Sequence, residues 1–321
     1  MKQTSHGTRG AAFIAASAVL MSLGGLLIKV IPWSPIAVNG GRNLFAACVT
    51  LAYMAAAHHR LRLSPAVWAC AVCLALNSVL YTIAVRLTTA ANAIVIEYTS
   101  PIFIMLYLWL FFRQRPRRTD VAACGVVFAG VACFFAQSLS GGGMAGNLLA
   151  VAAAATYAVV FMVNMFPGGD SLSGIFLAQV LSGLFGLPWV VREPNQSPAV
   201  WGAVAFMGVV QIGIAYVCMC RGLATTGPVA ANIICMIEPV LNPVWVAVFY
   251  GERIGALGIV GIVIVLGGLL CYNVLNARRA AQAAALQTAA GAENTPGAAG
   301  KTAAAQTPAA AQTAAAKPGP Q

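Results

Sequence analysis

Apolar residues run almost without interruption from residue 11 to residue 276, and polar residues enter mainly as isolated positions or short punctuating clusters. The clusters divide this stretch into ten apolar segments, at about 11–31, 35–57, 65–85, 89–112, 119–139, 147–166, 172–191, 199–220, 227–250 and 255–276. An α-helix needs about 20 apolar residues to cross a hydrocarbon core, so each segment predicts a transmembrane helix. The fold class that follows is an all-α polytopic membrane protein with ten transmembrane helices. The first segment follows Lys2 and Arg9 and so resembles a signal peptide. Its apolar run is longer than a signal h-region and no small-residue cleavage site follows, which predicts a retained helix.

Two stretches repeat one pattern. Thr88 to Arg115 and Thr226 to Arg253 each open at a threonine, carry a proline in mid-segment (Pro101 and Pro239) and end on a polar–arginine step, Gln114-Arg115 and Glu252-Arg253. The repeat divides the chain into a first five-helix unit over 11–139 and a second over 147–276, joined by a Gly-rich linker at 140–146. Five crossings is an odd number, so the second unit enters the membrane from the opposite face and the two are inverted repeats. Inverted repeats with proline-broken helices are a signature of secondary transporters. Residues 1–10 are expected to form a short cytoplasmic N-terminus. Residues 280–321 are rich in Ala, Gln, Thr, Pro and Gly, cannot bury a core, and predict a disordered cytoplasmic tail.

Composition agrees with a membrane-embedded chain. Hydrophobic residues make up 60% of it and charged residues 8%, against about 25% charged in a soluble domain, which is too little for a water-facing surface. The net charge of +11 would suggest nucleic acid in a soluble protein. Here the basic residues sit mostly at segment ends, with no aromatic-interleaved patch, so no nucleic-acid partner is expected. Their distribution instead orients the chain. With the N-terminus inside, the inner face carries Lys2, Arg9, Arg60, Arg62, Arg113, Arg115, Arg117, Arg118, Arg221, Arg278 and Arg279, and the outer face Arg86, Arg192 and Arg253. Both termini are therefore expected in the cytoplasm. The nine cysteines are scattered singly through apolar segments and read as small packing residues; no clustered ligand set supports a metal site.

Charges inside a bilayer are costly, by about 2.5–3.5 kcal/mol on insertion scales, so each is a candidate for function. The segments contain Lys29, Arg42, Glu97 and Glu238. Lys29 and Arg42 lie near the outer interface, where snorkelling is an alternative account; Glu238 lies at mid-depth without that route. A proline at position i lacks the N–H that would bond the carbonyl of i−4. Pro101 thus frees the carbonyl of Glu97, Pro239 that of Cys235 and Pro243 that of Pro239, and segment nine is expected to break twice around Glu238. Glu238, Asn242 and Trp245 recur at helical spacing and predict one face of a cavity wall. Asn77, Tyr81 and Gln211 belong to a set of mid-segment polar residues that includes Asn92, Tyr98, Asn164, Gln179, Tyr216 and Asn232. Singly each is as readily interhelical glue as a ligand contact. Together they predict a polar, mostly uncharged lining that suits an amphipathic small molecule better than a polyanion. Gly24-Gly25, Gly40-Gly41 and Gly267-Gly268 predict close helix packing. The sequence holds no nucleophile elbow, no HExxH and no GxxxxGK, which leaves a membrane enzyme the weaker reading.

These residues resemble the EamA-type branch of the drug/metabolite transporter superfamily, ten-helix permeases built from two five-helix repeats. The first repeat carries the resemblance through Lys29 after Gly24-Gly25, Ser34-Pro35 leading to Arg42, Tyr81 before Ala84-Val85-Arg86-Leu87-Thr88, and Thr99-Ser100-Pro101. The second carries it through Gly146-Asn147-Leu148-Leu149-Ala150, Tyr157-Ala158, Glu238-Pro239 and Gly251-Glu252-Arg253. One departure is Arg113-Gln114-Arg115, where the family usually shows Gly-Glu-Arg. The resemblance implies alternating access around a central cavity. The reading that follows is an exporter of small metabolites or amphipathic compounds across the inner membrane, proton-coupled or facilitative. An uptake or exchange permease is the alternative within transport, and a membrane-embedded enzyme or accessory protein the alternative outside it. No cofactor is expected beyond a coupling proton. The expected partners are a small-molecule substrate and the lipid bilayer, with a homodimer left open.

The arginine asymmetry generates a topology that labelling can check. In a cysteine-free background, single cysteines placed within residues 140–146 should react with an impermeant maleimide added outside, and cysteines beyond residue 285 only after permeabilisation. A C-terminus labelled from outside would remove both the ten-helix count and the inverted repeat.

Overall fold

The computed structural model of the protein describes residues 2–24, 31–88, 90–136, 143–250 and 256–293, and all regular structure among them is helical. Lys29 and the Gly251-Glu252-Arg253 step lie outside the described residues.

Several helices begin where the sequence supplies a cap or a proline. α1 covers Lys2–Met21, α2 Pro35–Ala56 and α3 Pro65–Leu87. Ser34 and Ser64 cap α2 and α3 by accepting from the N–H groups of Ala37 and Val67. The proline after each serine fills the first turn, where its missing N–H would have no intrahelical partner. Segment four is two helices, α4 (Ala90–Glu97) and α5 (Ser100–Phe112), and α6 (Arg118–Phe135) follows. The second half begins with α7 (Met144–Met162), a 3-10 turn at Val163–Met165 and α8 (Ser171–Arg192). Segment eight comprises α9 (Pro198–Phe206), a π-helical stretch at Met207–Ile214 and α10 (Ala215–Leu223). Segment nine comprises α11 (Pro228–Cys235) and α12 (Glu238–Tyr250), and α13 runs Ala256–Glu293.

With split segments counted once, the described residues make ten spans, five up to Phe135 and five from Met144. Pro65–Ala84, Ala93–Phe112, Met144–Met165, Ser171–Arg192 and Pro198–Leu223 are each long and apolar enough to cross a membrane unaided. Arg9–Met21, Pro228–Leu241 and Ala256–Tyr272 are shorter apolar helices. The protein is a ten-helix, multi-pass membrane protein of two inverted five-helix repeats. The described residues up to Arg278 pack as one compact unit.

Three local features depart from the sequence pattern. Segment nine breaks once, at Met236-Ile237, rather than twice, because the helix continues through Pro243. An internal proline forfeits a single intrahelical bond, and neighbouring helices let a membrane helix tolerate that loss; Pro188 sits inside α8 in the same way. α13 runs on past residue 276, where the apolar pattern ends, through an Ala-rich stretch with strong helix propensity. Arg113 closes α5 in the left-handed conformation at φ 53°, with the Gln114 N–H reaching back to the Leu108 carbonyl at 3.1 Å. That geometry favours glycine, which accounts for the Gly usual at this point in the family the chain resembles.

Packing follows the repeat. α2 lies along α8, α3 along α7 and α1 along α10, so the first helix of each half pairs with the third of the other. The threonines that open the repeated pattern make matching approaches. A Cβ added at Gly146 would lie 2.6 Å from the Thr88 nitrogen, and one at Gly10 would lie 2.5 Å from Thr226 Oγ1. Interior positions are small: Ala18, Ala37, Ala46, Ala153, Ala154 and Ala158 are fully buried, as expected where dispersion and close approach drive association in lipid. Trp109, Leu110, Phe111, Phe185 and Val248 are exposed on the outer surface and face hydrocarbon.

A close approach joins α2 and α8. A Cβ on Gly40 would meet Gly186 Cα at 2.7 Å, and one on Gly186 would meet Gly40 Cα at 2.5 Å, backbone against backbone. Gly186→Ala should therefore destabilise by about 1–3 kcal/mol, the scale of overpacking. Gly202→Ala in α9, where a Cβ has nothing within 4 Å, should be neutral or stabilising by about 0.5–1 kcal/mol. Thermal unfolding in detergent reads both, and equal effects at the two sites would contradict the crossing.

Candidate functional site

The two broken segments meet in the interior. α4 ends at Glu97 and α5 starts at Ser100; α11 ends at Cys235 and α12 starts at Glu238. Pro101 and Pro239 occupy the first turns of the new helices, where a proline starts a helix rather than kinking one. Each break tightens to i→i−3 bonding: Thr99 N–H to Ile96 O at 3.0 Å, and Met236 and Ile237 N–H to Ile233 O and Ile234 O at 3.2 Å each. Ser100 Oγ, one residue before Pro101, donates to Asn232 Oδ1 at 3.0 Å, and both residues are buried. This bond ties the break of the first repeat to the helix just ahead of the break in the second.

The carboxylates sit at those breaks. Asn77 Nδ2 donates to Glu97 Oε1 at 3.0 Å and to the Ala153 carbonyl at 3.0 Å, anchoring α3 to both α4 and α7. Tyr98, in the first break, hydrogen-bonds the side chain of Glu238, in the second. Arg42 lies within electrostatic reach of Glu238, Tyr81 and Tyr216, but among the described residues no ion pair joins it to either glutamate.

Beside this cluster lies a polar cavity of about 30 Å³ lined by Asn39, Arg42, Asn43, Leu74, Ser78, Ala178, Ser182, Ile212 and Tyr216. It sits where α2, α3, α8 and segment eight converge. Asn39 Oδ1 accepts from Arg42 Nη2 at 3.1 Å and from Asn43 Nδ2 at 3.1 Å, fixing both side chains. Thr50 Oγ1 donates to Gln179 Oε1 at 2.8 Å between α2 and α8. The π-helical stretch carries Gln211, whose Nε2 donates to the Met21 carbonyl at the end of α1, 3.1 Å away. Among the described residues, buried Arg42 Nε, Gln179 Nε2 and Gln211 Oε1 have no hydrogen-bond partner, and π-bulges and unpaired buried polar atoms both concentrate at functional sites.

The sequence candidates separate accordingly. Arg42 lines the cavity with Glu238 and Tyr81 in its electrostatic neighbourhood, and Glu97 acts on Glu238 and on Tyr216 of the cavity wall. Asn77 and Gln211 act as interhelical hydrogen-bond donors. Trp245 Nε1 donates to Ser22 Oγ at 2.8 Å, which directs it to the end of α1. The backbone of Asn242 and Pro243 is helical within α12, and their side chains lie outside the description. Asn39, Asn43, Ser78 and Ser182 were not singled out from the sequence. Asn39 and Asn43 flank Arg42 at helical spacing on an otherwise apolar segment, which is the signal that marks them.

Polar ties close the two ends of the α2–α8 pair. At one end, Trp33 Nε1 donates to Asn195 O at 2.6 Å and the Ser34 N–H to Glu193 Oε1 at 2.7 Å. At the other, His59 Nε2 and Asp170 Oδ2 are 2.8 Å apart, the Arg62 N–H reaches Ser173 Oγ at 3.0 Å, and Ser64 Oγ donates to Gly168 O at 2.7 Å. Each tie joins the first loop of one repeat to the second loop of the other, so the two are mates under the inverted symmetry.

Asp170 also caps α8, accepting from the Ser173 N–H at 2.9 Å. Burial works to raise its pKa, but the hydrogen bonds from Ser173 and His59 outweigh burial and hold it below the ordinary 3.8. A depressed carboxylate contributes stability that is full above its unfolded value and is lost as pH falls through the folded value. Asp170→Asn should therefore unfold at a lower temperature than the wild type at pH 7, with the gap closing below about pH 4. Asp170→Ala, which also loses the cap, should cost about 1 kcal/mol more. A pH-independent gap would contradict the assignment.

Known proteins share this architecture. A crystal structure superposes with a TM-score of 0.72 at 21% identity, over 85% of this chain and 98% of that one; at that identity the likeness establishes the fold alone. The uncharacterized transporter YwfM of Bacillus subtilis (strain 168) is 26% identical over 234 residues, 69% of this chain and 77% of that protein. The EamA-like transporter family matches twice, over residues 8–136 and 144–274, once for each five-helix half. The chain belongs to the EamA-like transporter family and is a membrane transporter of the drug/metabolite type.

Proposed function

We propose that the protein is a secondary active exporter of small metabolites in the inner membrane, moving substrate outward in exchange for a proton carried inward on Glu238. One observation carries this reading. Glu238 heads α12 at the break of segment nine, takes a hydrogen bond from Tyr98 at the break of segment four, and lies within electrostatic reach of Arg42 on the cavity wall. Protonation of Glu238 removes a charge facing Arg42 and weakens what holds the two broken segments together at that point. Proton and substrate therefore act on the same pair of groups, Glu238 and Arg42. The hydrogen-bonded ties at the two ends of α2 and α8 act as gates, one released while the other holds, which is alternating access around a fixed site. The arginine distribution supports a cytoplasmic side for both termini and for the His59–Asp170 gate.

A thermal-shift screen of candidate solutes identifies a substrate, since a ligand stabilises the state that it binds. Flux of that substrate is then measured in proteoliposomes with an imposed pH gradient. Glu238→Gln keeps the shape and fixes neutrality, so it should abolish gradient-driven flux, by tenfold or more in rough terms, while substrate binding is retained. Arg42→Ala should weaken binding itself. Wild-type rate and pH dependence in Glu238→Gln would make that carboxylate structural and shift coupling to Glu97 or to facilitated diffusion.

A further inference from the structure

We infer that the loop between α5 and α6 binds the phosphate headgroup of an anionic phospholipid through Arg113, Arg115, Arg117 and Arg118. Four arginines fall within six residues of sequence, and all four are exposed. Residues 98–169 contain a single acidic residue, Asp120, and Tyr272 Oη donates to its Oδ1 at 2.9 Å. Among the described residues, none of the four arginines forms an ion pair. The matching step of the second repeat carries Glu252, whereas this loop has Gln114 and so lacks that balancing charge. Orienting the chain requires only positive charge on one face, which Arg60, Arg62 and Arg221 also supply. It does not call for four guanidiniums in one loop. A guanidinium presents its donors as a planar fork that matches phosphate oxygens. A dense basic cluster directly after a transmembrane helix is the arrangement that binds anionic headgroups.

Depth selects a lipid over a soluble anion. Trp109, Leu110 and Phe111, in the last turn of α5, are exposed and face hydrocarbon. At 1.5 Å per residue, Arg113 stands about 6 Å along the helix axis from Trp109, which brings the loop to the level of the headgroups. An exposed tryptophan in a last turn is itself a marker of that interface. Arg113 adds a second sign. It closes α5 at φ 53°, a conformation that glycine adopts freely and that a Cβ disfavours, so the loop keeps a charge at the expense of its backbone. α5 starts at Ser100 beside the first break, and a headgroup held at its other end fixes the depth of the helix that the break releases. The inference is independent of what the cavity carries.

The test uses the full-length protein in nanodiscs of phosphatidylcholine alone and of equal parts phosphatidylcholine and phosphatidylglycerol. Thermal unfolding and native mass spectrometry of the retained lipids are the readouts. The wild type should unfold several degrees higher in the anionic discs and retain phosphatidylglycerol in preference to phosphatidylcholine. Each arginine removed should lower that preference about fivefold, the scale of one basic residue at an anionic surface. The triple variant Arg115→Gln, Arg117→Gln, Arg118→Gln should abolish it. The pair Arg60→Gln, Arg62→Gln removes charge from another loop on the same face and should leave it unchanged. Arg113→Gly keeps the test open even if the triple variant fails to fold. It should raise Tm in phosphatidylcholine, by relieving the left-handed residue, while lowering the preference for phosphatidylglycerol. No lipid preference in the wild type, an undiminished preference in the triple variant or in Arg113→Gly, or an equal loss in the Arg60 and Arg62 pair each overturn the site. Inorganic phosphate that displaces the bound phosphatidylglycerol and gives the same rise in Tm in phosphatidylcholine discs overturns the lipid in favour of a free anion.

Discussion

The crossing of α2 and α8 at Gly40 and Gly186 is the constraint from which the remaining geometry follows. With no side chain on either residue, the two backbones approach until a Cβ on one would meet the Cα of the other at 2.5–2.7 Å. In a bilayer, where lipid is as apolar as leucine, such close approach is a main source of helix association. The contact joins the second helix of one repeat to the second helix of the other. The cavity lies beside it, lined from α2 by Asn39, Arg42 and Asn43 and from α8 by Ala178 and Ser182.

The second constraint is that backbone polar groups at membrane depth must be satisfied within the protein. Both broken segments comply by turning inward, and what they turn toward is polar. Ser100 meets Asn232, Tyr98 meets Glu238, and Asn77 bridges Glu97 to the Ala153 carbonyl. Breaks, carboxylates and hydrogen-bond network thus form one structure. Arg42 connects that structure to the cavity, and among the described residues it forms no ion pair with either glutamate.

Much of this architecture was legible in the sequence because membrane helices announce themselves by length and hydropathy. The ten spans and the division into two halves follow from apolar runs of about 20 residues and from the matched Pro101 and Pro239 patterns. The site was legible only in part. Arg42, Glu97 and Glu238 stood out because charge is rare in apolar segments, yet their partners are set by tertiary packing. The pairing of Ser100 with Asn232 spans 132 residues of sequence, and no local pattern specifies it. Trp245 shared a helical face with Glu238 by spacing but donates to Ser22 instead. The π-helical stretch around Gln211 had no signal, since its sequence is that of an ordinary apolar helix. Pro243 was expected to break segment nine, but the helix runs on through it, and local reasoning cannot see the neighbouring helices that make an internal proline tolerable.

The central claim is that the two ends of the α2–α8 pair open in alternation, and locking each end in turn tests it most directly. In an otherwise cysteine-free protein, one cysteine pair replaces Ser34 and Glu193, and a second pair replaces His59 and Asp170. Each pair is bridged by a short cleavable bifunctional reagent, and pH-gradient-driven flux is measured in proteoliposomes before bridging, after it, and after cleavage. The account predicts that bridging either end stops flux and that cleavage restores it. Full flux with either end bridged would contradict it.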